Sequence, residues 1–286
     1  MAITGTGTQA DPFLVHSYDE IKEALTSKVS SGYEYVRLEN DINCNDYGLE
    51  FEWSTISLKS VNNINFDLNG HTIKNILIKN GNDLFYGMYN NQIIHNGRIL
   101  NVFNDGGNGI IIGNGIQVQN VSMSINGTGL TGTAFQKTCF KNCSVYFKSK
   151  KLNNAFLYTN VTSNIISAKN CDFYFDIDNV NGMRLFNISS SKNIDGCRFR
   201  GKVGGTTVTN LLSSHLINNC VVEIDTSNLT STFKMISDTS VNTIVNTEVS
   251  SNIPASDGTI GCTTAQMRDV DYLNSMGFDV TKVGEW

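Results

Sequence analysis

Asp176 and Asp178 stand two residues apart, and two carboxylates close together are the minimum set for acid–base hydrolysis of a glycosidic bond. Loops that follow strands are commonly rich in Asp, so the pair alone implies no chemistry and no catalytic residue is assigned. His71, His95 and His215 fall in different copies of the repeat described below and at different positions within it, which leaves no Ser/His/Asp grouping. The seven cysteines, Cys44, Cys139, Cys143, Cys171, Cys197, Cys220 and Cys262, include no Cys-x-x-Cys pair and no Cys/His cluster. They read as buried free thiols acting as small hydrophobes, with neither a metal nor a cofactor expected. What remains is binding. Tyr146, Tyr174, Arg200 and Glu223 take equivalent positions in successive copies, and tyrosine faces beside an Arg suit a saccharide or protein contact. The same residues also fit the aromatic stack and cross-strand ion pairs of an ordinary exposed sheet, with Asp172 beside Arg198 and Arg200 beside Glu223.

A weak internal repeat positions these side chains. Its anchors are Gly70, Gly97, Val121, Cys143, Cys171, Cys197, Cys220 and Thr247, separated by 27, 24, 22, 28, 26, 23 and 27 residues. Directly before them stand Asn69, Asn96, Asn120, Asn142, Asn170, Gly196, Asn219 and Asn246. Two residues after them, from the second copy onward, come Ile99, Met123, Val145, Phe173, Phe199, Val222 and Val249. Such a repeat marks a solenoid or propeller, in which each copy must stack on its neighbours to bury its inner face. Cys143, Val145 and Phe147 alternate with Ser144 and Tyr146, so the segment after the anchor is a strand with one face inward. A propeller blade needs roughly 40 residues or more, and the framework of leucine-rich repeats is absent. A parallel β-helix is left. Asn suits its corners, because it tolerates the left-handed conformation and its amide can bond to the Asn above and below. The first copy, Phe66 to Ile73, fits the columns less well, and a local register shift is expected there.

Residues 1–61 form a lead-in, a capping helix and the first coil; residues 62–252 carry the repeats; residues 253–286 are a cap or docking segment. Ser17 and Glu20 have capping-box spacing, and Ile21, Ala24 and Leu25 give a short apolar face to close the first coil, whose strand opens at Tyr35. A plug has a plain purpose, since open sheet ends invite polymerisation. Beyond Pro254, Thr263 and Gln266 repeat the box spacing, Met267, Val270 and Leu273 make a narrow apolar stripe, and Gly277 stops the helix. Phe278 and Trp286 then either pack over the last coil or dock into a larger assembly. Phe13, Met267, Tyr272, Met276, Phe278 and Trp286 gather interface-type side chains outside the repeat, so the ends are the expected attachment surfaces.

The Asn ladder beside stacked apolar columns resembles the right-handed, pectate-lyase-like β-helix superfamily. The fold class is accordingly expected to be all-β, a single-stranded right-handed parallel β-helix with short helical caps at both ends. Gly5 to Val15, followed by a short helix, is similar to the opening of many phage-encoded and bacterial surface β-helix proteins. The chain departs from the superfamily's enzymes. Gly70-His71-Thr72 does not reproduce the Gly-His-Gly loop of the polygalacturonase type, and the clustered acidic calcium ligands of a pectate lyase are not evident. Met1-Ala2-Ile3-Thr4 shows no secretory pattern, and no apolar run approaches the roughly 18 residues of a membrane span. A net charge of −5 argues against nucleic acid and anionic membranes as partners. The resemblance therefore implies a non-enzymatic bacteriophage virion protein, a capsid decoration or head-fibre protein assembled in the host cytoplasm. Its expected partners are other virion proteins, a major capsid or tail protein, with a host surface glycan as a further contact and a homo-oligomer compatible. The alternatives are a polysaccharide-degrading β-helix enzyme and a tail-associated receptor binder or bacterial adhesin.

Overall fold

The computed structural model describes residues 2–87, 91–130, 132–159, 167–182, 184–188, 192–237, 239–252 and 258–282. The chain winds into a parallel β-solenoid in which three short strands per coil stack on their equivalents in the next. Leu157–Thr159, Arg184–Ile188, Asn210–Ser213 and Lys234–Ile236 build one face. Ala168–Lys169, Asn193–Asp195, Leu216–Asn218 and Thr239–Val241 build a second. Ser144–Ser149, Asp172–Val180, Arg198–Gly205 and Val221–Asp225 build the third, which carries the candidate binding residues.

Alternation after the anchor has the expected consequence: Cys171, Phe173 and Phe175 are buried while Tyr174 faces out. Phe173 stacks on Phe199 in the next coil with centroids 5.6 Å apart and planes 10° apart, so the core repeats like the backbone does. The corners are as the Asn column predicts. Asn96, Asn120, Asn142, Asn170 and Asn219 all adopt positive φ, between 50° and 57°, and Gly196 takes the same turn at 60°. Amides link the rungs: Asn120 donates to Asn96 at 3.0 Å, Asn142 to Asn120 at 3.0 Å and Asn170 to Asn142 at 3.4 Å. A second ladder, which the repeat columns do not reveal, joins Asn101 to Asn75 at 3.1 Å and Asn75 to Asn43 at 2.8 Å.

Register departs from the repeat at both ends. In the first copy Asp67 pairs with His95 but Thr72 with Arg98, so two extra residues sit in the corner and the expected shift is present. In the last copy Ile244 pairs with Val221, which puts Asn242 at the left-handed corner, with φ 45°, and Thr243 on Cys220. Thr247, the anchor expected from the sequence, is displaced from the column and exposed. Thr243 fits because its hydroxyl donates to the Val241 carbonyl at 3.1 Å, the bond that each anchor thiol also makes two residues back.

Both ends are plugged. The Ser17 hydroxyl accepts from the Glu20 N–H, but the Glu20 carboxylate takes the His16 N–H at 2.7 Å, so the capping box closes one residue early. Phe13–Val15 pairs with Tyr35–Leu38, making the lead-in itself a rung. At the far end the capping box of Thr263 and Gln266 is complete, and Asp269 caps a second short helix, Val270–Ser275, in place of one continuous stripe. Met267, Leu273 and Phe278 pack on Val221, Ile244 and Cys262, whereas Val270 turns to solvent because it opens the second helix on its outer side.

Candidate functional site

Outward side chains of the third face form three columns. Nearest the Asn corner run Ser122, Ser144, Asp172 and Arg198; then Ser124, Tyr146, Tyr174, Arg200 and Glu223; then Asn126, Lys148, Asp176, Lys202 and Asp225. The four sequence candidates, Tyr146, Tyr174, Arg200 and Glu223, are thus brought into one continuous line. Tyr146 and Tyr174 stack with centroids 5.3 Å apart and planes 13° apart, and each keeps more than a third of its surface exposed. The Arg200 guanidinium sits 5.8 Å from the Tyr174 ring centroid.

Cα neighbours are those expected, but the arginine ion pairs run diagonally. Arg200 makes two bonds to Asp172, 3.0 Å from Nε and 2.5 Å from Nη2. Arg198 turns the other way and donates to Glu223 at 3.1 Å. Glu223 also receives Arg268 of the C-terminal cap at 3.2 Å. The reason is reach. A guanidinium on a long stem spans to the diagonal neighbour, and in doing so Arg200 also covers the Tyr174 ring. In the third column the pairs run straight instead: Asp176 lies 3.0 Å from both Lys148 on the rung before it and Lys202 on the rung after it. Burial works against the Asp176 charge, but bonds from the two ammonium groups outweigh it and hold its carboxyl below the usual carboxylate range. Asp178 shares the strand Asp172–Val180 with Asp176 and is exposed.

Between the Asn corner and the first column runs an open groove of about 660 Å³, lined by residues that include Asn120, Asn142, Asn170, Asp172 and Arg198. The histidines are apart, as their positions in the repeat require: His71 meets Asp41 at 3.3 Å, and His95 meets Asn65 at 2.6 Å. Of the expected attachment residues, Met267 and Phe278 are buried in the chain's own cap, Phe13 and Tyr272 are partly buried against core clusters, and Met276 is exposed. Trp286 lies outside the described residues. Cap closure uses Met267 and Phe278 because the last coil would otherwise leave Val221 and Ile244 open to water.

Two features carried no sequence signal. Arg268 reaches the face from the cap, and Asp83 is a buried carboxylic acid whose titration burial pushes up to about 6, although the Gly109 N–H opposes the shift.

No protein family and no curated protein matches the chain. Among solved structures it is similar to a protein of Bacteroides ovatus described as a "putative immunoglobulin A1 protease". The two superpose with a TM-score of 0.52 over 96% of this chain and 90% of that one, at 14% identity. They share a fold. At that identity nothing further follows for the site.

Proposed function

We propose that this chain is a non-enzymatic rod of a bacteriophage virion, a capsid decoration or head-fibre protein, whose third face contacts host surface glycan without turning it over. The observation that carries the binding part is charge saturation around an exposed tyrosine stack. Asp172, Asp176 and Glu223 each hold one or two cations, and Arg200 is fixed over Tyr174. A general acid needs a carboxyl raised toward neutrality, whereas Asp176 is lowered. Such a surface is stiff and neutralised in pairs, which favours contact with rings and hydroxyls over proton transfer. The virion part rests on the β-solenoid architecture and on the opening segment Gly5 to Val15, similar to that of phage-encoded β-helix proteins. Peptide hydrolysis, named for the Bacteroides protein, gains no support from a likeness of fold alone.

The test is incubation of the purified chain with host capsule or wall polysaccharide, scoring retention and release separately. Retention without oligosaccharide release, lost in Tyr174→Ala, is expected. Measurable release would overturn the non-enzymatic reading in favour of a depolymerase, and absence of the chain from purified particles would overturn the virion assignment.

A further inference from the structure

We infer that the stacked thiols of Cys143, Cys171, Cys197 and Cys220 form a site for a soft, two-coordinate monovalent cation of the copper(I) type, held between sulfurs of successive rungs. The register stacks them without a break. Ser144 faces Asp172, Asp172 faces Arg198 and Arg198 faces Val221, which sets each preceding cysteine on the next. All four side chains point the same way, because each thiol donates to the carbonyl two residues before it. Those carbonyls are Lys141 at 3.2 Å, Lys169 at 3.1 Å, Asp195 at 3.4 Å and Asn218 at 3.2 Å. Equal orientation on rungs about 4.7–4.9 Å apart puts successive sulfurs about that distance apart. Two thiolate–metal bonds of about 2.3 Å laid end to end span about 4.6 Å, so a linear S–metal–S unit fits between rungs with little movement.

The same geometry selects the ion. Zinc takes four ligands, and among the described residues no group of three or more His, Cys, Asp or Glu converges. A soft monovalent ion favours sulfur and is satisfied by two donors. All four cysteines are free of disulfides. Each cysteine that binds loses its one thiol proton to solvent, and because an inner thiolate bridges two ions, a column filled by three ions releases four protons. Uptake should therefore strengthen as pH rises.

Silver(I) is a redox-inert probe of this chemistry. Four sulfurs enclose three intervals, so native mass spectrometry of the folded chain should show three retained ions. Cys171→Ser breaks two intervals and should retain one, while Cys139→Ser, outside the column, should retain three. Silver should also raise the thermal midpoint of the wild type more than that of Cys171→Ser, with circular dichroism confirming that the variant is folded. Equal retention by wild type and Cys171→Ser, or a midpoint that falls on adding silver, would overturn the assignment.

Discussion

Asn219 and Asp279 exchange two hydrogen bonds: the Asn219 amide donates to the Asp279 carbonyl at 3.0 Å and accepts its N–H at 3.1 Å. The C-terminal segment thereby supplies with its backbone the rung that the Asn ladder would next require. Polar groups at the open end of the ladder are satisfied by the chain itself, and Asn219, unlike its exposed counterparts Asn142 and Asn170, is buried.

Asn219→Gly keeps the left-handed turn and deletes both bonds, so it should cost about 1–3 kcal/mol. Asn219→Ala should cost about 1–2 kcal/mol more, because alanine must also hold φ near 50°. Denaturant unfolding of the two variants separates the terms. Identical midpoints for glycine and alanine would mean that the corner relaxes.

Phe173 and Tyr174 are chain neighbours on opposite faces, and they should respond in opposite ways. Phe173→Ala removes a ring packed on Phe140, Phe156, Phe186 and Phe199, and should destabilise the rod by about 3–5 kcal/mol. Tyr174→Ala loses a half-exposed stack and should cost about 1 kcal/mol or less. Thermal unfolding decides. Equal losses would contradict the inward–outward alternation.

Asp83 predicts a pH dependence of opposite sign to that of a paired carboxylate. Its folded titration near 6 lies above the ordinary 3.8, so the acid form is the one the folded state tolerates. Below 3.8 the group is protonated in both states and costs nothing; stability attributable to it falls as pH rises through 6 and then levels off. At about 1.4 kcal/mol per unit the ceiling is about 3 kcal/mol. Asp83→Asn should recover much of this at neutral pH and nothing at pH 3. A variant gain that does not change between those conditions would locate its origin elsewhere.

The coil, its Asn corners and the alternation of the third face are legible in the sequence because they repeat and because each depends on one residue type at one position. What is not legible depends on reach or on ambiguity. Side-chain period identifies Asp172 as the neighbour of Arg198, but only stem length decides that Arg200 takes Asp172 while Arg198 goes to Glu223. Likewise, no Cys-x-x-Cys pattern exists to announce a linear thiol column, because its members meet through stacking across coils of 23 to 28 residues. The last copy is ambiguous in its own letters: Asn242-Thr243 and Asn246-Thr247 both read as corner and anchor, and their separations from Cys220, 23 and 27 residues, both fall within the range of the repeat.

Thiol labelling discriminates those two registers. All seven native cysteines are buried, so a bulky aqueous thiol reagent should leave the folded wild type unlabelled. Thr243→Cys places a thiol on Cys220, where it can donate to the Val241 carbonyl as the Thr243 hydroxyl does, and should stay unlabelled with stability changed by about 1 kcal/mol or less. Thr247→Cys puts a thiol on an exposed turn and should label in the folded state. The converse pattern, with Cys at 243 reactive and at 247 protected, would return the last anchor to Thr247 and shift the final coil by four residues.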